Sequence, residues 1–145
     1  MAYLPALLDS DMLSEIIKGR DMQVLHHARE YLKEHRVLRF SLITRYEVLR
    51  GLHAKDAKRQ ITAFLARCQA SVVYPVTEEV VDQAAIIYGS LWKRGKLISE
   101  GDLLIAATAL LQDLVVVTGN EDHFQRVEGL RVANWRTVNP RISTS

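Results

Sequence analysis

The chain has 145 residues, 48% of them apolar and 25% charged, which fits one ordinary globular domain able to bury about two-thirds of its unfolded surface. A formal net charge of +2 and a pI near 8.8 are only mildly basic, so a polyanionic partner is tolerated but not announced. The single cysteine, Cys68, excludes an internal disulfide framework and a cysteine-built zinc cage; no uncharged apolar run approaches the ~18 residues of a membrane span, and the start lacks a signal peptide's basic region, so a cytoplasmic protein is expected.

In chain order, Tyr3 to Leu8 reads as a short buried strand ending at Asp9. Ser10 is a suitable N-cap for a helix with Met12, Leu13, Ile16 and Ile17 on one face, and Gly19 is its natural stop. Val24, Leu25, Ala28, Tyr31 and Leu32 mark a second helix. Val37 to Ile43 reads as a strand, with Thr44 opening a helix through Tyr46, Leu49 and Arg50. Ile61, Phe64, Leu65 and Cys68 mark another helix, Val72 to Val76 a strand that Pro75 places at an edge or an end, and Glu78 to Arg94 a helix with the stripe Val81, Ala84, Ala85, Tyr88, Leu91 and Trp92. After Gly95 and a polar stretch, a helix begins near Asp102; Leu114 to Val117 and Arg131 to Trp135 are the last strands, and 140–145 reads as a frayed tail.

Strands and helices alternate, and two strands are apolar without alternation, the pattern of a mainly parallel central sheet with helices on both faces, an α/β fold. Ligands of such sheets bind outside the strand carboxyl ends. Asp9, Glu47 and Asp102 each stand beside an apolar run, where a carboxylate costs stability unless a partner, a cap or a metal compensates it. Brought together, they would make an oxygen-rich pocket suited to Mg²⁺ or Mn²⁺ and hence to phosphodiester hydrolysis.

Each residue also has a plainer reading. Thr44 and Glu47 match a capping box; Asp9 is an extra cap beside Ser10 and Asp11; Asp102 favours its helix dipole. His26 and His27 read as solvated, His35, His53 and His123 as scattered, and Cys68 as core. Arg45, Arg50, Lys55, Lys58, Arg59 and Arg67 form a basic middle: a solvated face, or contacts to phosphates. Asp9-Ser10-Asp11 after a strand also invites comparison with haloacid-dehalogenase-type phosphatases. Leu13 stands where that family has Thr or Val, and no carboxylate follows Gly101-Asp102 until Asp113.

Four blocks carry a stronger resemblance. Leu7 to Ser14 resembles the opening "LLDTNILS" of PIN-domain nucleases; Ile43 to Leu52, Gly101 to Leu110, and Val117 to Phe124 with the trailing Gly129-Leu130 and Asn134-Trp135 resemble the later blocks in order. The resemblance covers nearly the whole chain and implies a PIN-like nuclease domain over 1–139, similar in size to VapC-type toxins of toxin–antitoxin pairs.

That resemblance implies that Asp9, Glu47 and Asp102 bind Mg²⁺, with Mn²⁺ able to substitute. Asp9 and Asp102 are the expected direct ligands, with Glu47 acting through a water or on a second ion. The fourth acidic position falls among Asp122, Asn120 and His123, with Asp122 taken as catalytic; a non-catalytic RNA- or protein-binding module is the alternative if that position is not filled. Ser10, Thr118 and Asn120 are expected to contact phosphate or a ligand water. An RNA substrate, a cognate antitoxin and a homodimer follow from the same resemblance.

Overall fold

The computed structural model describes residues 3–145; residues 1 and 2, where the expected domain begins, lie outside the described residues. β1 (Ala6–Leu8), β4 (Val115–Val117) and β5 (Arg131–Ala133) pair in parallel in the order β1-β4-β5. All three are short and, Arg131 apart, apolar, and their side chains alternate between two cores. Leu7, Val116 and Val132 join the cluster containing α5 (Glu78–Lys93) and α6 (Glu100–Gln112). Ala6, Leu8 and Val117 face the other cluster, with α1 (Ser10–Lys18), α2 (Met22–His35), α3 (Leu42–Ala54) and α4 (Lys58–Gln69). Helices therefore cover both faces of the sheet, as the strand composition requires.

The structure departs from the sequence reading in several places. β2 (Arg39–Ser41) and β3 (Val72–Tyr74) pair in parallel as a separate two-stranded ladder rather than joining the central sheet. The strand expected over Val37 to Ile43 stops at Ser41, because Ser41 is the N-cap of α3 and its hydroxyl accepts from the Thr44 N–H at 3.3 Å. Thr44 is thus inside the helix and buried, and Glu47 is not the acid of a capping box.

The tail is not frayed at its end. β6 (Ser143–Thr144) pairs antiparallel with β5, and the Ser145 hydroxyl donates to the Val127 carbonyl. In α5 the core face is Val80, Ala84, Ile87 and Leu91, so Val81, Tyr88 and Trp92 of the expected stripe are exposed. His27 is buried rather than solvated. It sits one helical turn before Tyr31, with Nδ1 at 2.7 Å from the Tyr3 hydroxyl and Nε2 at 2.8 Å from the Thr137 carbonyl.

Candidate active site

The parallel register builds the site. Leu8 of β1 pairs with Val117 of β4, so the next residues, Asp9 and Thr118, leave adjacent strands at their carboxyl ends. The Asp9 N–H still donates to the Val117 carbonyl, and the Thr118 N–H to that of Ala133. Asp9 is itself the N-cap of α1, displacing the expected Ser10: its Oδ1 accepts from the Met12 N–H at 2.8 Å. Its other oxygen, Oδ2, accepts a short hydrogen bond from the Thr118 hydroxyl.

A cleft of about 290 Å³ opens at this end of the sheet, lined by Asp9, Asp11, Glu47, Asp102, Asn120 and His123, together with Ser10, Ser14 and Arg50. Glu47, from the second turn of α3, accepts a hydrogen bond from the Ser10 hydroxyl on Oε1, and the Arg50 guanidinium lies 3.7 Å from its Oε2. Asp102 lies in the first turn of α6, where Ser99 caps the helix and accepts from the Asp102 N–H at 3.2 Å. One Asp102 oxygen is 3.4 Å from His123 Nδ1, which is 2.7 Å from the Asn120 amide nitrogen.

The electrostatics are those of carboxylates taken out of water, with like charges nearby. Burial pushes the Asp9 carboxyl up to about 7 from an ordinary 3.8, outweighing the hydrogen bonds from Thr118 and Met12, and the charges of Asp11 and Asp102 add to the rise. Asp102 is also raised, chiefly by burial, with Asp11 adding and His123 and Ser99 opposing. Among the described residues, no three His, Cys, Asp or Glu side chains converge closely enough to enclose one ion by themselves. A donor set of carboxylate oxygens too open to enclose an ion fits Mg²⁺ or Mn²⁺, which keep waters and take one or two carboxylates directly, and not a closed zinc site.

The cleft thus brings together the expected Asp9, Glu47, Asp102, Ser10 and Asn120. Two expectations fail. Asp122 is exposed on the single-turn helix α7 (Glu121–Phe124) and does not line the cleft; His123 does, because the phase of that turn aims residues 120 and 123 inward. Thr118 is fully buried and is no phosphate contact; its hydroxyl donates to Asp9 and accepts from the Asn120 N–H at 2.8 Å. Thr118→Val should therefore lower stability by about 1–3 kcal/mol, since it strands the Asn120 N–H and one oxygen of Asp9, whereas Thr118→Ser should restore it; melting curves decide. Asp11 and Ser14 were not expected as cleft residues, whereas Arg50 had contact to phosphates as one of its two readings. The signal for Asp11 and Ser14 was helical phase, since residues 10, 11 and 14 share one face of α1.

The profile of the PIN domain matches residues 6–130. The chain belongs to the PIN-domain family. Among its relatives, Ribonuclease VapC1 of Methanocaldococcus jannaschii is 30% identical over 128 residues, 87% of this chain and 85% of that protein. Ribonuclease VapC2 of Haemophilus influenzae is 30% identical over 136 residues, 91% of this chain and 98% of that protein. A DNA-bound VapBC structure from Salmonella typhimurium shares the PIN fold, with a TM-score of 0.80 at 24% identity over 92% of this chain and 99% of that one. In this PIN domain Asp9, Glu47 and Asp102 line one cleft, and Thr118 holds Asp9.

Proposed function

We propose that this chain is a Mg²⁺-dependent endoribonuclease of VapC type, the toxin of a toxin–antitoxin pair, hydrolysing phosphodiester bonds of structured or single-stranded RNA. The observation that carries the reading is the meeting of Asp9, Glu47 and Asp102, from β1, α3 and α6, in one polar cleft. Relatives named as ribonucleases at 30% identity support the substrate class. Asp9 and Asp102 would hold the cation, Glu47 would orient water, Ser10 and Thr118 would fix those carboxylates, and Asn120 and His123 would face the incoming phosphate. A bound divalent ion supplies positive charge to the scissile phosphate and acidifies a water.

The division of labour follows from what already holds each carboxylate. Asp9 has one oxygen tied to the Met12 N–H and the other to the Thr118 hydroxyl, so it is a rigid ligand. Glu47 is held by the Ser10 hydroxyl and flanked by Arg50, which fixes its carboxylate where it would orient a water in the cleft. Asn120 and His123 supply nitrogen contacts beside Asp102, where an anionic phosphate would meet less repulsion than a fourth carboxylate would give.

A cognate antitoxin and a homodimer are the proposed protein partners. Solved relatives titled as VapBC complexes support the first; the exposed apolar residues of α5, Val81, Tyr88 and Trp92, support the second. Among the described residues no helix is long and apolar enough to cross a membrane, and the cytoplasm is the proposed compartment. The deciding experiment is a metal titration against a fluorescent RNA panel. Cleavage should appear with Mg²⁺ or Mn²⁺, vanish with EDTA and return with excess metal. Saturable RNA binding with no cleavage at any metal concentration would overturn the enzyme in favour of a binding module.

A further inference from the structure

Beside the acidic cleft, the outward face of α3 carries a second hollow of about 480 Å³, lined by Leu42, Arg45, Tyr46, Leu49, Arg50 and His53. The helix repeat explains it: Thr44 and Val48 point into the core, which leaves residues 42, 46, 49, 50 and 53 on the opposite side. Tyr46 is 59% exposed, and the Arg50 guanidinium lies over its ring, 5.3 Å from the centroid. Arg50 also lines the catalytic cleft, so the two hollows share a wall.

Their chemistry is opposite. The cleft is rich in carboxylates, whereas the lining of the α3 hollow contains no acid, two arginines, a histidine, a tyrosine and two leucines. An RNA strand whose cleaved bond lies among carboxylates needs its neighbouring phosphates neutralised and its neighbouring bases covered. Cations around an aromatic ring supply both, because every base has a face that stacks on an aromatic and phosphates pair with guanidinium groups.

Resting on the nuclease reading above, we propose that the outer face of α3 is the track of the RNA substrate leaving the cleft. Tyr46 is the stacking platform for a nucleobase flanking the cleaved bond, and Arg45, Arg50 and His53 contact the adjoining backbone. Arg50 holds the tyrosine ring from one side and joins the platform to the cleft at Glu47.

The test compares two substrates in Mn²⁺: a single-stranded oligoribonucleotide of about a dozen nucleotides, long enough to reach α3, and bis(p-nitrophenyl) phosphate, which is confined to the cleft. Tyr46→Ala should raise KM for the oligonucleotide roughly five- to hundred-fold, Tyr46→Phe should leave it near wild type, and neither should alter hydrolysis of the small diester. Arg45→Ala should flatten the salt dependence of oligonucleotide KM. The track is overturned if Tyr46→Ala leaves the oligonucleotide KM unchanged, or if it impairs both substrates equally. It is also overturned if Tyr46→Ala changes the solution mass of the protein while oligonucleotide KM stays put, which would make α3 a contact between copies. A wild-type protein that cleaves neither substrate removes the nuclease reading itself, a result distinct from the loss of the track alone.

Discussion

Asp9→Asn should abolish RNA cleavage and at the same time raise the melting temperature. The two effects have one origin. Asp9 is 4% exposed, and burial beside Asp11 and Asp102 makes its charge unfavourable in the folded protein, lifting its carboxyl to about 7 from 3.8. Asparagine keeps the acceptor for the Met12 N–H and offers an N–H to the Thr118 oxygen in place of the bond that Asp9 accepts, so both hydrogen bonds are replaced with no charge to bury. What disappears is the anionic oxygen a cation needs.

The pH dependence gives this prediction a sign. A carboxyl that titrates higher in the folded state binds a proton that the unfolded chain has released, so its stabilisation is present below the unfolded value and lost as pH rises through the folded one. For Asp9 the window runs from 3.8 to about 7. Wild type and Asp9→Asn should be nearly equal near the bottom of that window. The variant should then gain steadily, reaching an advantage of up to about 4 kcal/mol above it. Divalent metal should narrow the gap by stabilising the wild type alone. Urea unfolding of both proteins across the window, with and without Mg²⁺, measures it; an advantage that shrinks with rising pH would show that the buried charge is compensated within the protein.

Asp9, Glu47 and Asp102 were all legible in the sequence, and for Asp9 a strand end fixes the position. Asp9 follows an apolar run, and once β1 and β4 are parallel in the register Leu8 to Val117, its position beside Thr118 is set by geometry. What the sequence concealed was set by helix phase. Leu42 and Ile43 read as strand because they are apolar and follow Phe40; only the packed structure shows Ser41 capping a helix that begins at Leu42. Asp122 and His123 differ by one residue, but a turn of four residues sends one to solvent and the other beside Asp102. Sequence spacing alone does not fix the phase of so short a helix. His27 was hidden for a related reason: its partners, Tyr3 and the Thr137 carbonyl, lie 24 and 110 residues away.

Gly101→Ala should cost most of the catalytic activity while leaving the fold as stable as before. Gly101 lies in the first turn of α6, where the helix approaches α3 so closely that a methyl group would come within 2.7 Å of Glu47 Oε2 and 3.3 Å of its carboxyl carbon. Those atoms are the end of a side chain, so the strain is relieved by swinging the carboxylate away, not by moving the helices. Removing a glycine from a helix favours folding by up to ~1 kcal/mol, which offsets the lost Ser10 contact, and the melting temperature should move little. Catalysis should fall roughly a hundred-fold, the order expected when a group is displaced by about 1 Å from its working position. The same route predicts strong non-additivity. With Glu47→Gln already present, adding Gly101→Ala should cause almost no further loss in kcat/KM, because the group that it displaces has already been disabled. Two full, independent losses in the double variant would mean that Gly101 acts on the site by another path, and that the close approach of α6 to Glu47 is incidental to the chemistry.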